Sequence, residues 1–269
     1  MASLFNSLKV QEIPDKNNPQ CSSFVFQDLP LQMGTSLGNF LRQILLNHLS
    51  EIAPLAVEIS DQNGPVKSKF SILSSVAENG ITSYLILKLK EIILVETGSV
   101  EKTDSTEKKK TEEFILLHLN LENKTKKERI ITAADFKVPA QVEIKNPELE
   151  LASLSPGGKL TLKLYCQKNW GYHSEEEQKK ILPSSENVIV LDTDYSPLKG
   201  SRVSFQVEPI LFQKKEKLTL NIQSQGWITP AEAFFKTLEI TNQLFPQIAE
   251  ELSKKIKKSA KKANQTESK

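Results

Sequence analysis

The run Gly34-Thr35-Ser36-Leu37-Gly38-Asn39-Phe40-Leu41-Arg42-Gln43-Ile44-Leu45-Leu46 decides how the rest of the chain is read. From Leu37, apolar residues recur at Phe40, Leu41, Ile44, Leu45, Leu49 and Ile52, and this period of about 3.6 predicts an amphipathic helix over Leu37 to Ile52. Thr35 or Ser36 is the expected cap, its hydroxyl accepting a first-turn backbone N–H. Far downstream, Thr229-Pro230-Ala231-Glu232 opens a second helix. Thr229 is the N-cap, Pro230 takes the first helical position, where no N–H is needed, and Glu232 closes a capping box. Phe234, Phe235, Leu238 and Phe245 follow on the apolar side; Pro246 is expected to kink or end the helix, with Ile248, Leu252 and Ile256 in a second piece.

Between these helices the period changes to two. Leu160, Leu162, Leu164 and Cys166 alternate with Thr161, Lys163 and Tyr165, the pattern of a half-buried strand. Val203-Phe205-Val207 and Leu218-Leu220-Ile222 repeat it, and Val57 to Ile59, Ser83 to Leu89, Phe114 to Leu119 and Val142 to Ile144 are further expected strands. Helix, then many strands, then helix implies an α+β fold and not alternating β-α-β units. Thr97 to Glu113 holds one apolar residue in 17 and is expected to be a mobile loop. Gln178 to Asn187, polar with Pro183, is expected to mark a domain crossing, and residues 253–269 a disordered Lys-rich tail.

With 38 % hydrophobic residues in 269, the chain can bury a sizeable core, as one large domain or two ordinary ones. Net charge is +2, so no whole-chain field argues for nucleic-acid binding. The basic excess is local, at Lys254, Lys255, Lys257, Lys258, Lys261 and Lys262, where a solvated tail is favoured over weak phosphate contact. Cys21 and Cys166 form no Cys-x-x-Cys pair, which suits a reducing compartment. His48, His118 and His173 have no neighbouring Cys or His at metal-ligand spacing, so no metal is expected. No stretch approaches the ~18 to 20 apolar residues of a membrane span, and with no basic segment followed by an apolar run near the start, no secretory signal is expected. Met1 to Phe5 is faintly like a transit peptide, but Glu12 and Asp15 argue against one.

No stretch matches a phosphate loop or a nucleophile elbow. Asp192 and Asp194 could suit Mg²⁺, but without a third carboxylate a strand-end turn is the better reading. Pro156-Gly157-Gly158 reads as a hairpin turn and Glu175-Glu176-Glu177 as a solvated run. No catalytic residue and no cofactor are expected on this chain.

The opening run resembles the first helix of the bacterial and plastid RNA polymerase alpha subunit, Gly-His-Thr-Leu-Gly-Asn-Ala-Leu-Arg-Arg-Ile-Leu-Leu. Core packing does not demand Gly38, Asn39 or Arg42 at those offsets, which makes the match specific. Three further segments agree in order: Ile131-Thr132-Ala133-Ala134-Asp135; Leu191-Asp192 through Tyr195-Ser196-Pro197 with Arg202 to Glu208; and Gly226-Trp227-Ile228-Thr229-Pro230-Ala231-Glu232-Ala233. The resemblance covers roughly residues 24 to 252. It implies a discontinuous dimerisation domain, 1–55 plus 180–252, with a mixed sheet and two long helices, interrupted by a mostly-β insert at 56–179.

The resemblance further implies a homodimeric assembly subunit of DNA-directed RNA polymerase. It would be a non-catalytic part of a nucleotidyltransferase complex, with beta and beta-prime subunits as partners and DNA met only through the complex. Carried over residue by residue, Arg42, Gln43, Asn39 and Gly38 are the expected beta-subunit interface and Lys90 the beta-prime interface. Phe40, Ile44, Phe234, Phe235 and Leu238 are the expected dimer interface, two-fold packing supplying the burial these rings need. The chain departs from the family at Gln43, where a second Arg is usual, and at Leu31-Gln32-Met33-Gly34, where the family has Arg-Gly-Phe-Gly. Thr97 to Glu113 and Gly200-Ser201 look like additions, and the family's C-terminal DNA-binding domain is expected to be absent. Lys richness and few Gly suit a plastid stroma, with a bacterial cytoplasm as the alternative. The rival reading is a divergent dimeric interaction protein that kept the fold without the polymerase.

Overall fold

In the computed structural model, the described residues are 8–77, 80–97, 114–182, 187–198, 202–210, 213–224 and 228–266, with the backbone alone over 255–266. Expectations on Met1 to Phe5, on most of the Thr97 to Glu113 loop, on Gly200-Ser201 and on Gly226-Trp227 fall outside them. Along the chain run β1 (Lys9–Pro14), β2 (Cys21–Pro30), α1 (Met33–Asn47), β3 (Ser50–Asp61), β4 (Gly64–Val66) and α2 (Thr82–Lys90). Then come β5 (Leu94–Glu96), β6 (Ile115–Glu122), β7 (Arg129–Thr132), β8 (Val142–Ile144), β9 (Glu150–Leu154) and β10 (Lys159–Trp170). The last are β11 (Tyr172–His173), α3 (Glu175–Lys179), β12 (Val188–Val190), β13 (Thr193–Asp194), β14 (Arg202–Ile210), β15 (Lys215–Gln223) and α4 (Pro230–Thr266).

These elements form two compact units, Met1–Leu49 with Gly200–Lys269, and Ser50–Lys199. In the discontinuous unit the strands pair antiparallel in the order β1-β2-β15-β14. Period-two alternation turns Leu218, Leu220 and Ile222 to one face, where all three are buried. Helix α1 packs on β14 and β15 through Gly34, Gly38, Leu41, Ile44 and Leu45, a stripe at helical spacing.

In the continuous unit β3 is the hub, pairing with β10, β5, β4 and β12, while β10 also pairs with β6. Its run Ile52 to Val57 is buried without a break, because both sheet faces are covered. Val57 and Ile59 face the main core with Leu117, Leu119, Leu160, Leu162 and Leu164; Leu55 and Ala56 face a smaller cluster with Tyr165 and Leu182. The units divide at 49/50 and 199/200. The inserted part therefore runs further each way than 56–179, because the whole of β3 belongs to its sheet and β12 pairs with β3.

Several elements differ from their expectation. Ser83 to Leu89 is not a strand but lies within α2, whose buried residues Thr82, Leu85, Ile86 and Leu89 follow helical spacing. The first helix ends at Asn47, and Ile52 belongs to β3. Pro246 does not end α4, since its fixed φ suits a helix and only one backbone N–H is lost. Residues 253–266 are helical, not a disordered tail. Gly157, in a turn at φ 74°, joins β9 to β10, which lie in different sheets, so no hairpin forms. Glu175, Glu176 and Glu177 form the first turn of α3, and the inserted unit continues past the expected crossing at Gln178 to Asn187, of which 183–186 lie outside the described residues.

Candidate functional site

The outward side of α1 is polar where the sequence placed the beta-subunit interface. Asn39, Arg42 and Gln43 are exposed, whereas Gly38 is buried. A Cβ at Gly38 would lie 2.5 Å from Phe205 Cδ2, so its absence lets the helix lie close on β14 and Gly38 offers no surface. That corrects its place among the interface residues. Arg42 Nε donates to the Val203 carbonyl oxygen at 3.1 Å, which anchors the guanidinium to β14, and the residue as a whole is exposed. Such a fork is suited to a carboxylate. Gln43 offers hydrogen bonds without charge.

Neither Thr35 nor Ser36 caps α1. The N-cap is Gln32, in the left-handed region at φ 71°, and its side chain makes no cap bond. Instead Glu216 Oε1 accepts the Gln32 N–H and Oε2 accepts the Gly34 N–H, each at 2.9 Å. Residues 184 and 182 positions apart thus meet at one carboxylate, which no local sequence signal announces.

The expected dimer residues divide. Phe234 packs within its own chain, its ring 4.5 Å from that of Phe24 and 5.9 Å from that of Phe26, and Ile44 is equally buried. Both belong to the chain's own core, a correction to their place at an interface. Phe40 is half-buried, its ring 5.8 Å from Phe245. Phe235 is 62 % exposed and Leu238 42 %. The sequence reading placed Phe245, Ile248 and Leu252 on apolar faces but did not count them, or Leu244, with the dimer residues; all four are exposed too. The signal was present in the spacing 235, 238, 245, 252, but the break expected at Pro246 concealed its continuity. At the start of α4, Thr229 and Glu232 close the expected capping box: Thr229 N–H donates to Glu232 Oε2 at 3.0 Å, and Glu232 N–H to Thr229 Oγ1 at 3.2 Å. The Thr229 backbone bond holds the Glu232 carboxyl below its ordinary range.

In the inserted unit Lys90 ends α2 and pairs with Asp192, whose carboxyl the bonded ammonium holds below the ordinary range. Both line a small cavity of about 170 Å³ with Ala53, Pro54, Tyr172, Thr193 and Asp194. Asp194 Oδ1 accepts the Ser196 N–H at 3.0 Å, a turn bond. Among the described residues no group of three His, Cys, Asp or Glu side chains could hold a metal ion. Cys166 is buried, which pushes its thiol pKa up. No helix among the described residues is long and apolar enough to cross a membrane.

A discontinuous α+β unit interrupted by a largely β insert has a counterpart among known families. The sequence model of the RNA polymerase Rpb3/RpoA insert domain matches residues 57–196, over half of the chain. The DNA-directed RNA polymerase subunit alpha of Syntrophomonas wolfei is 31 % identical over 220 residues, 81 % of this chain and 62 % of that protein. That of Staphylococcus aureus is 32 % identical over 229 residues, 84 % of this chain and 64 % of that protein. The chain belongs to the RNA polymerase alpha-subunit family. It spans a little under two thirds of the length of these relatives, both bacterial, and they lend the plastid expectation no support.

Proposed function

We propose that this chain homodimerises through α1 and α4 and serves as the assembly subunit of a DNA-directed RNA polymerase. One copy contacts the beta subunit through Asn39, Arg42 and Gln43, and the other contacts beta-prime near Lys90. Nucleotidyl transfer belongs to the complex; this chain contributes no catalytic residue and holds no cofactor. DNA is met through the complex, and the bacterial relatives favour a bacterial cytoplasm over a plastid stroma.

The observation that carries the dimer is the uncovered stripe Phe235, Leu238, Phe245, Ile248 and Leu252 on one side of α4. At about 1.5 Å rise per residue these positions extend over roughly 26 Å. From Thr241 to Lys254 every residue except the half-buried Thr241 is exposed, so this stretch of the helix finds little cover in its own chain. A second copy related by two-fold symmetry offers the same stripe and buries both. Each large apolar side chain so buried adds about 1.5–3 kcal/mol.

Sedimentation of the purified chain tests the dimer. The wild type is expected to sediment as a dimer, and Phe235→Glu with Leu238→Glu to weaken it by at least ~100-fold, from two lost contacts of that size. A variant that dimerises as tightly as the wild type would remove α4 from the interface. High-salt affinity purification from the native source tests the assembly role: two very large companion subunits and template-dependent RNA synthesis are expected. A lone homodimer would favour an interaction protein that kept the fold for another use.

A further inference from the structure

The corner where β2 enters α1 is held in an unusual way. The non-glycine residues with positive φ among the described residues are Asp28 at 65°, Gln32 at 71° and Lys214 at 49°, and they meet at this corner. Asp28 and Gln32 flank the passage from β2 into α1, and Lys214 sits in the turn from β14 to β15. Leu31 N–H donates to the Lys214 carbonyl oxygen at 3.3 Å, and Lys215 pairs with Asp28 at 3.0 Å. Left-handed backbone at non-glycine residues persists only where its surroundings over-determine it, and such strain gathers where geometry matters to function.

Glu216 does the holding. It is 9 % exposed, and both oxygens are engaged by first-turn amides of α1. It lies next to a β-bulge, the β15 register against β2 shifting between Glu216 and Leu218. A bulge re-aims a side chain, and here the side chain concerned reaches α1. Close approach completes the seat. A Cβ on Gly34 would meet Val207 Cγ1 at 2.7 Å and Glu216 Oε2 at 2.9 Å, and one on Gly38 would meet Phe205 at 2.5 Å. Further along, Arg42 Nε is tied to Val203. Each of these ties from α1 runs to β14 or β15, and together they restrict the height and rotation of the helix on the sheet.

We infer that Glu216 is a positioning residue: it sets the register of α1 on the sheet and thereby the presentation of Asn39, Arg42 and Gln43 to a partner. This rests on the assembly role proposed above. Glu216 touches no partner itself. A bidentate carboxylate is required, because a glutamine amide has one acceptor oxygen and would turn its NH₂ donors toward the other N–H.

The test is recruitment of the beta subunit from the same organism by the full chain, comparing wild type, Glu216→Gln, and Glu216→Gln with Gln32→Gly. A stability-matched core variant of the same sheet, Ile222→Val or Leu220→Val, serves as control. Glu216→Gln is expected to weaken recruitment about tenfold while remaining a dimer, and the matched control to recruit normally. Gln32→Gly is expected to restore most of the loss, since glycine holds the left-handed conformation without the clamp. Equal recruitment by wild type and Glu216→Gln, an equal loss in the control, or no rescue overturns the inference and leaves the assembly role standing. A wild-type chain that never holds the beta subunit overturns the assembly role and this inference with it.

Discussion

Gln32 occupies a backbone conformation for which its side chain is poorly suited, at the position where the resembling family carries glycine. A left-handed L-residue costs about 1–2 kcal/mol, and glycine gives back part of that gain through its freer unfolded chain. Gln32→Gly is therefore expected to stabilise the protein by up to about 1 kcal/mol, raising the melting temperature by roughly 2 °C. Thermal unfolding followed by circular dichroism would detect it, and a destabilised variant would mean that the Gln32 side chain contributes more than its exposure suggests. At this scale the sequence was only partly legible. The Thr229–Glu232 box could be read because its partners are three residues apart. The Glu216 clamp could not, because its partners come from opposite ends of a discontinuous unit. Thr35 and Ser36 looked like caps for the same reason: local grammar names local candidates only.

Elements were legible in proportion to how far their pattern ran. The α1 stripe spans several turns and admits one period, whereas Ser83 to Leu89 admits two. There Leu85, Leu87 and Leu89 alternate as a strand would, while Leu85, Ile86 and Leu89 fit one helix face, and over seven residues nothing local separates them. Burial decides, since Leu87 is 59 % exposed and Ile86 is buried. The start of α4 carries a pH dependence. The folded Glu232 carboxyl is held below its ordinary value of 4.5 by the Thr229 N–H, so its contribution is complete above that value and is lost as pH falls through the lower folded value. Glu232→Gln is expected to be less stable than the wild type at neutral pH, with the gap closing below about pH 4. Urea midpoints measured between pH 7 and 3 check this; a gap that stays constant would show that the capping carboxylate is not its source.

At the scale of the whole molecule the chain holds two units, each with buried apolar residues of its own. The core of the inserted unit runs from Ile52 to Leu191 and needs none of the flanking sequence. Calorimetry is expected to resolve two unfolding transitions, because separate cores need not melt together. A single transition whose calorimetric and van't Hoff enthalpies agree would refute that independence. The broad division was readable from the resemblance, but its edges were not, because Val188–Val190 belongs to the insert only through pairing with a strand over 120 residues earlier.

The discontinuity also orders events during synthesis. Strand β2, with Phe24, Val25 and Phe26, emerges from the ribosome early, but its sheet partner β15 follows only after the 150 residues of Ser50–Lys199. At roughly 5–20 residues per second that interval lasts about 8 to 30 s. The insert can complete its fold meanwhile, and the first-made strand must wait. A nascent chain stalled some tens of residues past Lys199, before β15 has emerged, would therefore carry a finished globule behind a hairpin whose inner edge is still unpaired, the species a ribosome-bound chaperone would be called on to shield.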